Sequence, residues 1–403
     1  MRILIEGALR GERPKDVLRR GTIIAIVSFL TLIDLFGSQA LLPQLVVAYQ
    51  VDPATMGVAV NASTFGMALS GLTVAWFADR IDRKQGIWLS LALLSIPTAC
   101  LGLVDDVTLF ALLRIAQGVF MAAAFTLTLT YLSEQCDITA ASGAMAAYIT
   151  GNVASNLFGR LLAGSLAEQI GLSGSFFAFA ILNLLGALFA YTLIGPTSGP
   201  RDAGSAEPPL AAWRAHLSDA RLRASFLIGF VILALFVGLF TYVNFELVGP
   251  TLRLDPMMLG AVYFVFLPSI FTTPSAGALA RKWGAARGFQ AGAAATILGV
   301  VLTLAPTLWL VLPGLALIAV GLFFAQAAVS GYVGRTATRA HAAANGLYLS
   351  SYYFGGLVGA YAFGLVYQSA GWSGLAGFAI ALTLLGVALS LGLKSEEAAA
   401  PAV

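Results

Sequence analysis

Charged side chains are scarce in this sequence. Asp, Glu, Lys and Arg make up only 10% of its 403 residues, whereas soluble domains carry about 25%. Hydrophobic residues make up 59%, and the mean hydropathy is +0.88. A water-soluble core cannot bury this much apolar surface, so the composition excludes a soluble globular domain and predicts a protein in the lipid bilayer. The charges fall between hydrophobic runs, so the net charge of +3 indicates no nucleic-acid partner.

Cysteine and histidine are also rare, with two residues of each. Cys100 lies inside a hydrophobic run and Cys136 ends one, which favours neither a disulfide framework nor a metal site. His216 and His341 lie far apart in polar connectors. There is also no Ser–His pair, nucleotide-binding loop or sizeable polar domain. We therefore predict no enzyme activity, no cofactor and no bound metal, and a membrane enzyme or receptor is the least favoured class.

Twelve hydrophobic runs dominate the sequence, and about 20 apolar residues suffice to cross a bilayer as a helix. Connectors on one side, with the two tails, hold 19 of the 22 Lys and Arg residues, and connectors on the other side hold only Arg253. Because positively charged connectors stay in the cytoplasm, this asymmetry predicts a multi-pass protein with both termini cytoplasmic. The runs are 21–46, 54–78, 86–104, 107–132, 140–167, 173–194, 224–248, 256–280, 286–305, 308–333, 342–367 and 373–393.

The longest connector, 195–223, divides the chain into two halves, 1–194 and 224–403. It begins as a flexible linker rich in Gly, Pro and Ser and continues as a short amphipathic helix, which we expect on the cytoplasmic surface. The halves repeat, because VDPATMG at 51–57 matches LDPMMLG at 254–260. Each copy places Asp before Pro, a helix-start pattern. The repeat predicts an all-α membrane protein of two pseudo-symmetric six-helix bundles.

Three motifs resemble those of the major facilitator superfamily. The loop AWFADRIDRK at 75–84 resembles the signature between its second and third helices, although Ala75 and Asp82 replace two glycines. RIAQG at 114–118 resembles a motif of its proton-coupled members. Asp34 followed by ALLP at 40–43 resembles the first helix of drug–proton antiporters. The resemblance implies that the loop holds one conformation closed, through the charged side chains Asp79, Arg80, Arg83 and Lys84.

The fifth run departs from the antiporter pattern, because it lacks the usual Gly-Pro pair. It carries Gly151-Asn152 and Gly159-Arg160 instead. This pattern is similar to the YnfM branch, bacterial permeases often grouped with arabinose-type efflux proteins. The resemblance covers essentially the whole chain, but it does not name a substrate.

Asp34 and Arg114 are the charged pair that we place at the centre of the mechanism. Asp34 lies 13 residues from the inner end of its run, or about 20 Å along a helix, and Arg114 falls at a similar depth in the descending fourth run. By the resemblance, both helices line the central cavity. A buried carboxylate facing an arginine in a wet cavity favours proton and substrate coupling. The alternative is a fixed ion pair that holds two helices together.

Other polar and aromatic side chains inside the runs are candidates for the substrate cavity. Arg160 and Glu246 fall near the outer face, where they close a gate, bind an anion or extend toward the interface. For the amides the alternative is hydrogen bonding between helices, and for the aromatics it is packing or lipid contact. The cavity candidates are Gln117, Asn152, Asn61, Arg160, Asn244, Tyr242, Tyr263, Tyr348 and Tyr352.

The sequence therefore predicts a monomeric secondary transporter of the bacterial inner membrane. It moves a small organic solute by alternating access, coupled to protons and directed outward. The alternative is a facilitator or exchanger of a small organic anion, which Arg114 and Arg160 bind.

Overall fold

The computed structural model describes residues 14–77, 81–135, 138–195, 209–337 and 340–393. Within these ranges every regular element is helical, and twelve helices follow the predicted runs. They are called the first to twelfth spans below. In chain order they are Pro14–Ala40, Pro53–Phe77, Arg83–Leu101, Val107–Gln135, the two parts of Ile138–Leu193, Ala220–Val248, the interrupted helix Pro256–Val262, Tyr263–Phe266 and Leu267–Trp283, then Ala285–Leu302, Leu308–Thr336 and the two parts of His341–Ser390.

Two glycines divide the longest helices into pairs of spans. Their apolar stretches, Gly151–Leu193 and Ala343–Ser390, are 43 and 48 residues long, about twice the length that one crossing needs. Gly171 (φ 74°) separates the fifth span from the sixth, and Gly371 (φ 61°) separates the eleventh from the twelfth. Glycine adopts this left-handed conformation without steric cost. The same break thus occurs once in each half.

Capping aspartates start the second and eighth spans, as the repeat predicts. The Asp52 carboxylate accepts a hydrogen bond from the Thr55 amide at 2.9 Å. The Asp255 carboxylate accepts one from the Met258 amide at 2.7 Å. Each bond satisfies an N–H group that has no partner inside the helix. The cap prediction is therefore confirmed in both halves.

Two short helices flank the spans. Leu42–Tyr49 continues the first span after a break, toward the side that the sequence predicts to face outward and that is called the outer side below. Pro43 occupies its first turn, where proline costs the helix no hydrogen bond. Pro209–Ser218 precedes the seventh span and falls within the amphipathic segment expected in the connector. The His216 ring nitrogen lies 3.3 Å from the Ala340 carbonyl oxygen. This contact joins the connector helix to the start of the eleventh span.

The two halves pack against each other at several levels. In the second and eleventh spans, the Ser350 hydroxyl donates to the Ala68 carbonyl at 2.8 Å, and the Gln368 side chain donates to Asp52 at the outer end. In the fifth and eighth spans, Gly260 lies against the backbone of Leu161. These contacts join the halves along the second and eleventh spans and between the fifth and eighth spans.

The loop between the second and third spans is described only in part. Asp79 and Arg80 lie outside the described residues. Asp82, which stands where the family pattern has glycine, caps the third span by accepting a hydrogen bond from the Gln85 amide at 2.8 Å. Arg83 is buried, and Lys84 lies over the Tyr191 ring at 5.5 Å. The conformational role of this loop stays a prediction.

Candidate transport site

A buried polar cluster surrounds Asp34 inside the first half. Its carboxylate oxygen Oδ2 accepts three hydrogen bonds, from the Thr98 hydroxyl and from the side-chain amides of Gln117 and Asn183, each at 3.1 Å. These residues and Arg114 form the Asp34 cluster, and none is exposed. Four spans, the first, third, fourth and sixth, therefore converge on one carboxylate.

Gln117 bridges the two charges of this cluster. Its amide nitrogen donates to Asp34, and its amide oxygen accepts from Arg114 Nη1 at 2.6 Å. The sequence correctly places Asp34 and Arg114 at one depth, but the carboxylate and guanidinium do not touch. Their attraction acts across a neutral amide, so the direct ion pair considered from the sequence does not form.

Arg114 ties the cluster to the second span. Its Nε donates to the Val60 carbonyl at 2.8 Å, and Nη2 donates to the Ser63 hydroxyl at 3.0 Å. Nη1 also donates to the Ser38 hydroxyl at 3.2 Å. Each guanidinium nitrogen thus has a neutral acceptor. In contrast, the second oxygen of Asp34, Oδ1, has no hydrogen-bond partner among the described residues.

The Asp34 carboxylate does not line the central cavity, which differs from the expectation. Leu32, Leu35, Phe36 and Gln39 line it from the first span. These four positions share one helical face at spacings of three and four residues. Asp34 lies on the other face and points at the third and sixth spans, where its side chain is fully buried. The hydropathy of a run does not reveal which face of the helix meets the cavity. The depth of Asp34 in the membrane was therefore predictable from the sequence, but the direction of its side chain was not.

The central cavity lies between the two halves and encloses about 90 Å³, room for several water molecules. Its wall is mainly aliphatic and aromatic, and no charged side chain occurs among its described lining residues. Of the predicted candidates, Asn152 and Tyr352 line it. The other polar lining residues are Gln39, Thr64, Gln326 and Tyr353.

A second buried cluster centres on Arg160, at the outer end of this cavity. Arg160 Nη2 donates to the Gln39 side-chain oxygen at 2.6 Å, and Nε donates to the Asn156 side-chain oxygen at 3.0 Å. The guanidinium carbon lies 3.9 Å from the centre of the Tyr263 ring, a close cation–π contact. Two of these partners, Gln39 and Asn156, belong to the same half as Arg160, whereas Tyr263 belongs to the other half.

Asn61 and Asn244 extend the Arg160 cluster across the two halves. The Gln39 amide donates to the Asn61 side-chain oxygen at 2.7 Å, and the Asn61 amide donates to the Thr241 hydroxyl at 3.2 Å. The Tyr263 hydroxyl donates to the Asn244 side-chain oxygen at 2.5 Å. The Arg160 cluster consists of Gln39, Asn61, Asn156, Arg160, Thr241, Asn244 and Tyr263. It joins the first, second, fifth, seventh and eighth spans.

Three further candidates lie apart from the cavity lining. The Tyr242 hydroxyl donates to the Ala360 carbonyl at 2.7 Å, so this side chain joins the seventh and eleventh spans. Tyr348 is buried beside Gly229. Glu246, near the outer face, accepts a hydrogen bond from the Tyr367 hydroxyl at 3.0 Å.

Sequence reasoning missed Gln39, Thr98 and Asn183. The amides of Gln39 and Asn183 stand in apolar runs, a signal that could have marked them. Thr98 gave no such signal, because threonine in a membrane helix commonly bonds its own backbone. Here its single hydroxyl proton has two acceptors within reach, the Leu94 carbonyl oxygen at 2.7 Å and Asp34 Oδ2 at 3.1 Å.

Comparison with known proteins agrees with this fold. The model of the Major Facilitator Superfamily matches residues 24–266, more than half of the chain. The chain belongs to the major facilitator superfamily. Members of this superfamily are transporters, and this member is a multi-pass membrane transporter.

Relatives of this superfamily member extend over nearly its whole length. It is 27% identical over 393 residues to the inner membrane transport protein YnfM of Escherichia coli (strain K12). The aligned region covers 95% of this chain and 94% of that protein. It is 26% identical over 364 residues to the uncharacterized MFS-type transporter YybF of Bacillus subtilis (strain 168), with 90% of each chain covered. The branch resemblance drawn from the fifth span is therefore confirmed.

Solved structures share the fold of this transporter at low sequence identity. A mutant of the nucleoside transporter NupG matches with a TM-score of 0.72 and 18% identity, covering 92% of this chain and 99% of that one. A bacterial homologue of the human lysosomal transporter Spinster, inward-facing and occupied, matches with a TM-score of 0.68 and 15% identity, covering 92% and 93%. The predicted twelve-helix fold is confirmed.

Proposed function

We propose that this transporter exports a small organic solute from the cytoplasm by alternating access, and that Asp34 carries the proton that drives each cycle. The inner membrane of a bacterium is the proposed location, by analogy with the YnfM relative. The motif around Arg114 supports coupling to protons, because it resembles that of proton-coupled members of the superfamily. The motif around Asp34 supports proton-driven export, because it resembles that of drug–proton antiporters.

The observation that carries the proposal is the unequal bonding of the two Asp34 oxygens. Oδ2 accepts three hydrogen bonds, whereas Oδ1 has no partner within the described chain. A proton can therefore add at Oδ1 without displacing a hydrogen bond. Its addition removes the negative charge that faces Arg114 across Gln117, and leaves a buried cation without a counter-ion. Such a cation costs several kcal/mol, enough to drive a rearrangement.

The contacts of Arg114 supply a route from this proton to the rest of the fold. Arg114 holds the second span through Val60 and Ser63. The second span in turn contacts the eleventh span through Ala68 and Ser350. A change in the Arg114 contacts thus acts on a helix that packs directly against the other half. Asp34 is shielded from water in this conformation, so proton exchange belongs to another step of the cycle.

The alternative function is the exchange of an organic anion, and Arg114 and Arg160 are not equally suited to binding that anion. The guanidinium nitrogens of Arg114 are occupied by neutral acceptors, on the side of the first span away from the cavity. Arg114 is therefore better suited to holding Asp34 and the second span than to binding a solute. Arg160 contacts the cavity-lining residues Gln39 and Phe36 and is considered separately below.

The test uses purified protein in liposomes that enclose a pH-sensitive dye. Three solutes with one aromatic body and different charges are added in turn: benzenesulfonate, benzamide and phenyltrimethylammonium. We expect the transported solute to change the internal pH in wild-type vesicles. In Asp34→Asn vesicles, isotopically labelled solute still exchanges, but the pH change is lost.

A matched control replaces a buried hydroxyl far from Asp34. Thr296→Val removes the bond from the Thr296 hydroxyl to the Gly292 carbonyl in the second half, and it should keep the pH change. If Asp34→Asn moves protons with the solute as wild type does, Asp34 is not the coupling group. If none of the three solutes moves, the panel is extended by body size, and a failure of every solute contradicts transport of small aromatic compounds.

A further inference from the structure

The fifth span carries a column of polar side chains that runs from the cavity toward the outer side. Asn152, Asn156 and Arg160 follow one another at spacings of four residues, which puts them on one face of the helix. Asn152 lines the cavity, and Asn156 and Arg160 lie one and two turns further out. Gln39 and Phe36 also line the cavity, and both contact Arg160. The Arg160 cluster is therefore the outer end of the solute space.

Two hydrogen-bond donors in this column have no acceptor. Arg160 Nη1 and Asn156 Nδ2 are both buried and unpartnered within the part of the chain that the structure describes. Their parent side chains are bonded to each other through Nε and Oδ1 at 3.0 Å. An unsatisfied buried donor costs about 1–3 kcal/mol, and more when it is charged. Two such donors on adjacent side chains indicate that an acceptor completes this arrangement during the cycle.

The buried positive charge of Arg160 also indicates that a ligand binds at this cluster. Arg160 is fully buried, and its partners within the described ranges are neutral: the side chains of Gln39 and Asn156 and the rings of Tyr263 and Phe36. No carboxylate pairs with it among the described residues. A buried charge costs several kcal/mol unless it is paired. A negatively charged ligand would therefore supply both the counter-ion for Arg160 and an acceptor for the two free donors.

We infer that the solute is an amphiphilic organic anion whose carboxylate or sulfonate head accepts hydrogen bonds from Arg160 Nη1 and Asn156 Nδ2. Its apolar or aromatic body lies against the cavity wall. This inference rests on the proposed transport function and names its class of solute. A carboxylate offers two acceptor oxygens and a full negative charge, which match two donors and one unpaired cation. The rings of Phe36 and Phe236 line the cavity wall and suit an aromatic body.

The decisive variant is Asn156→Asp. It keeps the size of the side chain and its acceptor for Arg160 Nε, and it replaces the free donor with a carboxylate oxygen. The protein then supplies its own anion to Arg160. We expect the variant to fold, to be more stable to heat than wild type, and to bind benzoate at least tenfold more weakly. A merely structural arginine would show the gain in stability without any benzoate binding by the wild type.

Binding is measured by calorimetric titration of the detergent-solubilised full chain with sodium benzoate in chloride-free buffer. Benzamide and phenyltrimethylammonium chloride serve as neutral and cationic controls with the same ring, and sodium chloride tests whether a free inorganic anion suffices. We expect benzoate alone to bind. No benzoate binding, equal binding by Asn156→Asp and wild type, or chloride binding as tight as benzoate overturns the inference.

The measurement does not depend on proton coupling, because it uses no membrane gradient. Thr296→Val, which changes a hydroxyl bonded to the Gly292 carbonyl and lies outside both clusters, should bind benzoate with unchanged affinity. Loss of the pH change in Asp34→Asn without benzoate binding by wild type would retain the proposed function and refute this solute class. Benzoate binding by wild type, together with an unchanged pH signal in Asp34→Asn, would retain the solute class and refute the role of Asp34 in proton coupling.

Discussion

The charge pair in the Asp34 cluster leads to a quantitative prediction about stability. Asp34→Asn preserves an oxygen that accepts from Thr98, Gln117 and Asn183, so it removes charge with little change of shape. It leaves Arg114 as a buried cation without a counter-ion. Arg114→Gln does the converse and leaves the buried carboxylate. Gln117 separates the two charges, so removing one of them costs the other an attraction of about 2 kcal/mol. Each single variant should therefore have a lower free energy of unfolding than wild type.

The double variant tests whether this cost comes from charge. Gln117 spans the gap through contacts of 2.6 Å and 3.1 Å. We take the charge separation as about 7 Å, where two unit charges attract by about 2 kcal/mol at an effective dielectric constant of about 20. Asp34→Asn combined with Arg114→Gln has neither charge. We expect it to be about 2 kcal/mol more stable than the sum of the single effects predicts.

The assay is equilibrium unfolding in detergent micelles, followed by tryptophan fluorescence for the four proteins of the cycle. A second cycle pairs Asp34→Asn with Thr296→Val in the other half, where distant sites should add within about 0.5 kcal/mol. Equal additivity in both cycles would refute the electrostatic link through Gln117. The cluster would then stabilise the fold only through its separate hydrogen bonds.

Two other predictions concern the packing that holds the site. A methyl group on Gly118 would lie 1.8 Å from the Ser63 carbonyl oxygen, so Gly118→Ala should force the second and fourth spans apart and cost about 1–3 kcal/mol, measured by the unfolding midpoint. Gly377→Ala, where the added methyl meets no atom within 4 Å, should not lower that midpoint, since alanine also favours the helix over glycine. A loss equal to that of Gly118→Ala would contradict the argument. Trp372→Phe removes the indole hydrogen bond to the Thr303 carbonyl at 3.2 Å and should lower stability by about 1 kcal/mol, whereas no change would show that this bond is not needed between the ninth and twelfth spans.

Helix positions and the division into spans followed from local properties. Long apolar runs, the Asp-Pro starts at 52–53 and 255–256 and the excess of Lys and Arg on one side depend on neighbouring residues alone, so the sequence was sufficient to predict twelve helices in two six-helix groups. The depth of Asp34 and Arg114 also followed, because a helix rises by a constant amount per residue. The family motifs, which are short and contiguous, pointed to the superfamily and the branch.

Only the tertiary structure decided which groups meet. Asp34 is bonded to Thr98 and Asn183, which are 64 and 149 residues away along the chain, and Arg160 to Gln39, 121 residues away. Such contacts depend on the rotation of each helix about its axis and on the packing of its neighbours, which the hydropathy of a run does not encode. The sequence alone therefore determined a membrane carrier and the depth of its charges, and the packing of its helices turned Asp34 away from the cavity and brought Arg160 to its outer end.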